Sequence, residues 1–250
     1  MPTQSHDISA SPYAIGYGAI GETWKILKGV DVQGTMVGVY SDYVDSKLVN
    51  SGSIFGSVGV IFEAGGAPSA YVVNNQKKGE IVGEVGINIE DYAGSALVKN
   101  KGEIQGAGAG IEIADFTGSA KIVNKGKIDG GELAVHVEGS TDVAIVNKGD
   151  ISGGLAGIIL DPDALGAKGP VIENHGTIEA FYYGLVIQGG AGVDAKVVNH
   201  KGGVIDGNFY ALASEDKLSL TNKGKIEGNI VSSDYDDKVI NKGKIKGDVS

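Results

Sequence analysis

The chain of 250 residues contains no cysteine, no arginine and only 5 prolines. Without cysteine it forms no disulfide and no thiolate metal site. Its 21 basic residues are all lysines, so it lacks the planar guanidinium that binds carboxylates and phosphates through paired hydrogen bonds. No apolar run approaches the roughly 18 residues of a membrane-spanning helix. The first residues also show neither the basic nor the apolar segment of a signal peptide.

Basic residues are fewer than acidic ones, with 21 against 31, and the formal net charge is −10. A surface of this sign repels phosphate backbones and anionic lipids, so we expect no nucleic-acid partner and no membrane insertion. Hydrophobic residues make up 42% of the chain and charged residues 21%, which is typical of folded rather than disordered proteins. No linker-like change of composition divides the chain, which favours a single domain.

Glycine, in contrast, is abundant with 42 residues, and it recurs within a long internal repeat. Residues 122–130 read IVNKGKIDG, and residues 145–153 read IVNKGDISG. One asparagine marks the phase of each unit. These asparagines are Asn50, Asn74, Asn100, Asn124, Asn147, Asn174, Asn199, Asn222 and Asn241. Their separations run from 19 to 27 residues, which gives a period of about 24 residues.

Each unit contains three short apolar pieces separated by turn residues. Within a piece, apolar residues alternate with others, as at Ile111 and Ile113, which is the pattern of a strand with one buried face. Such strands bury their apolar side only when units stack in register. The sequence therefore predicts an all-β, single-domain, right-handed parallel β-helix (a β-solenoid) of nine to ten coils over residues 26–250. Residues 1–25 are expected to be an amino-terminal cap or a disordered segment.

The repeated asparagines are interpreted as a structural ladder. The residue two positions earlier is apolar, as Ile122 is before Asn124, so alternation should turn the asparagine inward as well. Stacked amides can then pass hydrogen bonds from coil to coil. We prefer this role to ligand binding. The Lys-Gly pair that follows predicts a tight turn with glycine at positive φ. The turn lysines, expected along one exposed edge, are Lys101, Lys125, Lys148, Lys223 and Lys242.

Two outward-facing files are predicted on the middle strands. The first contains Tyr40, Ile61, Asn88, Glu112, His136, Ile159 and Val186. Beyond it lies an acidic file of Asp42, Glu63, Glu90, Glu138, Asp161 and Glu215. Stacked carboxylates either remain solvated or share a hard cation, so Ca²⁺ is a possible ligand, although no cofactor is required. Asp161 and Asp163, in a longer loop, are the metal candidates.

The catalytic candidates are Glu112, His136 and Glu138. Stacking should bring two acids and an imidazole together, with a glutamic acid as proton donor and His136 as base or orienting group. The alternative is an ordinary surface pair. His175 and His200 should also stack on neighbouring turns. Without a third ligand, two histidines do not make a metal site, so they are interpreted as substitutes for the usual lysine.

Aromatic residues cluster late in the chain, at equivalent places in consecutive units. The candidate ligand-binding residues are Tyr182, Tyr183, Phe209 and Tyr210, next to Phe181. Exposed rings at this spacing suit sugar rings or a partner protein. Alternation along a strand also predicts that some of these rings are in the core.

The Val-Asn-Lys-Gly-x-Ile-x-Gly units resemble the Asn-x-Gly-x-Ile-x-Gly repeats of bacterial β-helical surface and secreted proteins. These include autotransporter passengers, haemagglutinin-like adhesins and RTX proteins secreted by the type I route. The resemblance covers roughly residues 26–250 and implies an extracellular or cell-surface location. The chain departs from these families because it has no calcium-binding nonapeptide array and no translocator barrel. Since the sequence stops in mid-coil, we expect end-to-end contact with further coils or with another copy.

The function favoured by these observations is that of a non-catalytic extracellular scaffold or adhesin-like binding module, with a polysaccharide or cell-surface partner. The alternative is a carbohydrate-active enzyme of the β-helical type, either a polysaccharide lyase or a glycoside hydrolase. The absence of arginine argues against lyases that use an arginine base. Ice binding, a third interpretation, requires a file of threonines that the repeat does not contain.

Overall fold

The computed structural model describes residues 1–63, 69–90, 94–161, 168–189, 194–233 and 236–250. Over these residues the chain forms strands joined by short turns, with no helix. The described part of the chain accordingly contains no helix long and apolar enough to cross a membrane.

The strands are short and follow one another along the whole described chain. The first fourteen are β1 (Thr3–Gln4), β2 (Ile8–Ala10), β3 (Tyr13–Gly16), β4 (Thr23–Ile26), β5 (Asp31–Gly34), β6 (Val37–Ser41), β7 (Lys47–Asn50), β8 (Ser53–Phe55), β9 (Val58–Glu63), β10 (Ser69–Asn75), β11 (Glu80–Glu90), β12 (Gly94–Asn100), β13 (Glu103–Ala114) and β14 (Ser119–Asn124). The remaining strands are β15 (Lys127–Gly130), β16 (Leu133–Glu138), β17 (Asp142–Asn147), β18 (Asp150–Gly153), β19 (Ala156–Asp161), β20 (Lys168–Asn174), β21 (Thr177–Ala180), β22 (Tyr183–Ile187), β23 (Ala195–Asn199), β24 (Val204–Ser214), β25 (Leu218–Asn222), β26 (Lys225–Val231), β27 (Lys238–Asn241) and β28 (Lys244–Lys246).

The strands stack in parallel on three faces, and each coil contributes to every face. The first face is an 11-stranded sheet in the order β1-β4-β7-β10-β12-β14-β17-β20-β23-β25-β27. The second follows the repeat's Lys-Gly turn and includes β15, β18 and β21. The third includes β16, β19 and β22. The prediction of an all-β parallel solenoid is therefore confirmed.

Glycine makes the bend between the second and third faces possible. A Cβ on Gly106 would lie 1.7 Å from the carbonyl oxygen of Ala109, and one on Gly130 would lie 1.9 Å from that of Leu133. Backbone cannot retreat from such contacts at low cost, so only glycine allows the chain to turn this tightly.

The core is a continuous column of aliphatic side chains along the solenoid axis. The isoleucine two residues after the turn glycine is completely buried at Ile104, Ile128, Ile151 and Ile178. Burying each such side chain stabilises the fold by about 1.5–3 kcal/mol. The register keeps these isoleucines on top of one another, because Ile104 pairs with Ile128 and Ile128 with Ile151.

A ladder of nine buried or inward-facing asparagines runs along one corner, at the end of the first face. Eight side-chain hydrogen bonds, each 2.9 Å long, link Asn50, Asn75, Asn100, Asn124, Asn147, Asn174, Asn199, Asn222 and Asn241. The ladder is thus confirmed, but the assignment of Asn74 to it was wrong. Asn74 pairs with Val49 and Lys99 and faces outward, whereas Asn75 is completely buried. In the Asn-Asn pair, the apolar residue two positions before Asn75 is Val73, which is also buried.

The turn glycines after the ladder asparagines do not have the positive φ that the sequence suggested. Among these glycines, only Gly202, in the divergent unit after Asn199, has positive φ. Their role elsewhere is steric, because a Cβ on Gly126 would lie 2.0 Å from the carbonyl oxygen of Gly102 in the preceding coil. Coils can therefore stack at normal strand spacing at this corner only if it carries glycine.

Residues 1–25, expected to be a cap or a disordered segment, contain β1, β2, β3 and the start of β4. These strands are ordered and join the solenoid, since β1 pairs in parallel with β4, β2 with β5 and β3 with β6. The stacking therefore starts at Thr3 rather than at residue 26.

Candidate functional site

The turn lysines form the exposed edge that the repeat predicts. Lys101, Lys125, Lys148, Lys223 and Lys242 are all exposed. Each donates its backbone N–H to the carbonyl oxygen of the ladder asparagine one coil earlier, as Lys125 does to Asn100 at 2.7 Å. We call this file, with His175 and His200 in the same register, the basic stripe. These backbone hydrogen bonds to the ladder asparagines fix the position of the stripe.

His175 and His200 interrupt the basic stripe on two consecutive coils. Their imidazole rings are stacked, with centroids 3.8 Å apart and planes inclined by 8°. The Nε2 atom of His175 lies 4.0 Å from the nearer carboxylate oxygen of Glu173. Burial, His200 and Lys148 together lower the pKa of His175, so it is neutral at neutral pH. The predicted stacking is confirmed, and Glu173 is a neighbour that the sequence analysis did not identify.

The catalytic candidates Glu112 and His136 are brought together as predicted. They are register partners on β13 and β16, and the Nδ1 atom of His136 lies 3.8 Å from a carboxylate oxygen of Glu112. The interaction with Glu112 raises the pKa of His136, and the same interaction lowers the pKa of Glu112. Both shifts favour an ion pair, which is the arrangement of a surface salt bridge as much as of an acid–base pair.

Glu138 follows His136 by two residues on the same strand. It is exposed at the end of β16, where its register partner is Asp161 on β19. Its charge contributes to the raised pKa of His136. Glu112, His136 and Glu138 do not bring one ligand atom each within 4.8 Å of one another.

The acidic file is present, although it is interrupted. Glu63 pairs in register with Glu90, but the next position is Ala114. The Tyr40 hydroxyl donates a hydrogen bond to Glu63 at 2.8 Å, and the Asn88 amide donates one to Glu90 at 2.7 Å. Asp161 is exposed at the end of β19, and Asp163, the other metal candidate, lies outside the described residues.

The late aromatic residues form a stacked surface that we call the aromatic platform, composed of Phe181, Tyr182, Tyr183, Phe209 and Tyr210. The rings of Tyr182 and Phe209 are 5.2 Å apart and inclined by 16°, and those of Tyr183 and Tyr210 are 5.6 Å apart and inclined by 7°. Phe181 is 57% exposed, Tyr182 42% and Phe209 51%. The expectation that some of these rings belong to the core was wrong. Phe181 and Tyr182 occupy the bend between β21 and β22, where strand alternation does not hold.

A file of carboxylates that the sequence pattern did not predict borders the platform. Glu179, Asp206 and Glu227 are successive register partners on β21, β24 and β26. Burial and the charge of Glu227 raise the pKa of Asp206, whereas hydrogen bonds from Lys225 and Lys246 lower the pKa of Glu227. The signal was present in the last variable position of the Asn-Lys-Gly-x-Ile-x-Gly unit, which is acidic in all three of these coils.

Two shallow depressions lie along these carboxylates. One of about 320 Å³ is lined by Phe181, Glu179 and Asp206 among others, and one of about 390 Å³ extends from Asp206 to Lys246. Asp206 and Asn208 line both depressions, so the two adjoin beside the platform, and we call them together the groove. This surface combines exposed aromatic faces with hydrogen-bonding groups.

The comparisons with known proteins give no identification. No protein-family model, no curated protein and no solved structure matches this chain. Functional conclusions therefore depend on the chemistry of these surfaces.

Proposed function

We propose that this protein is a non-catalytic β-solenoid scaffold whose aromatic platform binds a neutral polysaccharide. The observation that carries the proposal is the exposed stack of Tyr182 on Phe209. Exposed aromatic rings are costly to keep in water unless they serve contact with a ligand or partner. Their flat apolar faces match the faces of pyranose rings, and their edges leave room for hydroxyl groups.

The groove beside the platform supplies the polar half of such a site. The carboxylates of Glu179 and Asp206 can accept hydrogen bonds from sugar hydroxyls, and the amide of Asn208 can both donate and accept them. Three successive carboxylates also repel a polyanion, as does the formal net charge of −10. An uncharged glycan therefore fits this surface better than alginate, pectate or heparin.

The rigid solenoid makes the site suitable for an extended chain. Platform and groove both follow the stacking direction, in which neighbouring coils are about 4.8 Å apart. A polysaccharide lying along the solenoid would contact the same type of surface on several coils. The cell-surface or secreted location belongs to this proposal, and it is supported by the resemblance of the repeats to bacterial surface proteins.

Binding is tested by calorimetry and affinity electrophoresis with neutral glucans, xylans and chitin oligosaccharides, and with alginate and heparin as polyanions. Replacing both rings, Tyr182→Ala with Phe209→Ala, should weaken binding more than about tenfold, since each ring contact contributes about 0.5–1.5 kcal/mol beyond its buried area. Tyr13→Ala is the matched control. Tyr13 is also 42% exposed and stacks on another ring, but it lies near the start of the solenoid.

Two results would contradict the proposal. One is binding of a neutral glycan that the double ring variant retains in full. The other is binding of polyanions alone, lost in Lys125→Glu with Lys148→Glu, which would assign binding to the basic stripe instead.

Hydrolysis of the same glycan is a second candidate function, favoured by the opposite pKa shifts of Asp206 and Glu227. A carboxyl group with a raised pKa beside one with a lowered pKa is the arrangement that glycoside hydrolases use. Release of reducing ends that disappears in Asp206→Asn would establish this activity at the groove. Activity lost only in Glu112→Gln would place it at the Glu112–His136 pair.

A further inference from the structure

One short segment of the basic stripe differs from the rest in three residues at once. The stripe has lysine at Lys148 and again at Lys223, but histidine at His175 and His200 between them. The outward position just before the ladder asparagine is valine at Val123, Val146 and Val198, yet it is Glu173 in the coil of His175. It is the only acid at this position from Val49 to Ile240. The coil of His175 thus lacks the positive charge of the usual lysine and carries an additional carboxylate.

These substitutions bring three potential metal ligands together. One ligand atom from each of Glu173, His175 and His200 lies within 4.8 Å of the others. Among the residues that the structure describes, no other trio of histidine and acidic side chains meets this distance. The two rings already overlap at 3.8 Å, so the backbone holds the histidines in place before any ligand arrives.

His200 provides an independent indication. Its Nε2 atom is shielded from solvent and has no hydrogen-bond partner within the described part of the chain. Ring nitrogens shielded in this way are normally hydrogen-bonded, because an unsatisfied polar atom costs about 1–3 kcal/mol. A coordinated ion would satisfy this nitrogen.

We propose that Glu173, His175 and His200 form a binding site for a divalent transition-metal ion of the Zn²⁺ or Cu²⁺ type. Two imidazoles and one carboxylate are a ligand set that these ions prefer, and water would complete the coordination. Bonds of about 2.0–2.2 Å require the ligand atoms to approach within roughly 4.2 Å of one another. Rotation of the partly exposed histidine rings out of their parallel stack supplies this approach and directs both nitrogens at one ion.

The electrostatic setting supports a single ion at this place. Lys148 and Lys223 flank the histidines along the stripe, and their long side chains can extend into solvent away from the ion. Glu173 supplies a carboxylate next to the two imidazole rings. Elsewhere on the stripe, successive lysines repel any cation.

The repeat itself provides variants that should preserve the fold. His175→Lys and His200→Lys restore the residue found in the neighbouring coils, and Glu173→Val restores the valine found on both sides. Calorimetry on the untagged chain with ZnCl₂ should give one ion per chain. Each variant should weaken binding by more than about tenfold, because loss of a ligand costs at least as much as loss of the group that orients it. Circular dichroism verifies that the variants remain folded.

The control is His136→Gln, which removes a histidine outside the site and should leave Zn²⁺ affinity unchanged. Histidine imidazole NMR signals give a second readout, in which Zn²⁺ should shift the signals of His175 and His200 and leave those of His6 and His136 in place. Absence of binding would overturn the proposal, as would equal affinity in all variants or one ion per two chains. Because the aromatic platform is not part of this test, none of these outcomes affects the proposal of glycan binding.

Discussion

At the scale of single residues, each ladder asparagine closes several hydrogen bonds at once. The Nδ2 of Asn124 donates to Asn147 Oδ1 and to the carbonyl oxygen of Asp150, both at 2.9 Å. Its Oδ1 accepts from Asn100 at 2.9 Å and from the backbone N–H of Gly126 at 3.1 Å. Both polar atoms of this buried side chain are therefore hydrogen-bonded.

Asn124→Ala should reduce the free energy of unfolding by about 1–3 kcal/mol, since it leaves the amide of Asn100 and the N–H of Gly126 unsatisfied. Asn74→Ala is the matched control and should change stability by less than about 0.5 kcal/mol, because Asn74 faces outward and takes no part in the ladder. Urea denaturation of the two variants makes the comparison. Equal effects would mean that the ladder hydrogen bonds contribute no net stability.

At the scale of the elements, the Lys-Gly corner sets how closely successive coils approach. Gly126→Ala would place a Cβ at 2.0 Å from a carbonyl oxygen, so the strands on both sides must separate. We expect a loss of roughly 1–3 kcal/mol, as for overpacked interiors, together with a lower Tm. Gly18→Ala is the control, because a Cβ there meets nothing within 4 Å. If Gly126→Ala leaves the free energy of unfolding unchanged, the corner has room for a Cβ, contrary to the stacking geometry.

The same elements show how far the sequence could be interpreted. Alternation and the 24-residue period predict the strands, their register and the ladder, because these depend on residues that recur in every coil. The prediction assigned Asn74 to the ladder instead of Asn75, because either asparagine of the pair fits the repeat. It also missed Glu173 and the Glu179–Asp206–Glu227 file, because these acids occupy variable positions. Only the register makes them neighbours.

At the scale of the whole molecule, the solenoid carries three separate surfaces that differ in charge and shape. The basic stripe follows the ladder corner, the acidic file follows the third face, and the aromatic platform with its groove occupies the bend between the second and third faces. The three-sided stack keeps these surfaces apart, since every coil presents the same face in the same direction. A glycan on the platform and a metal ion on the stripe would therefore bind independently, and neither should alter the affinity for the other.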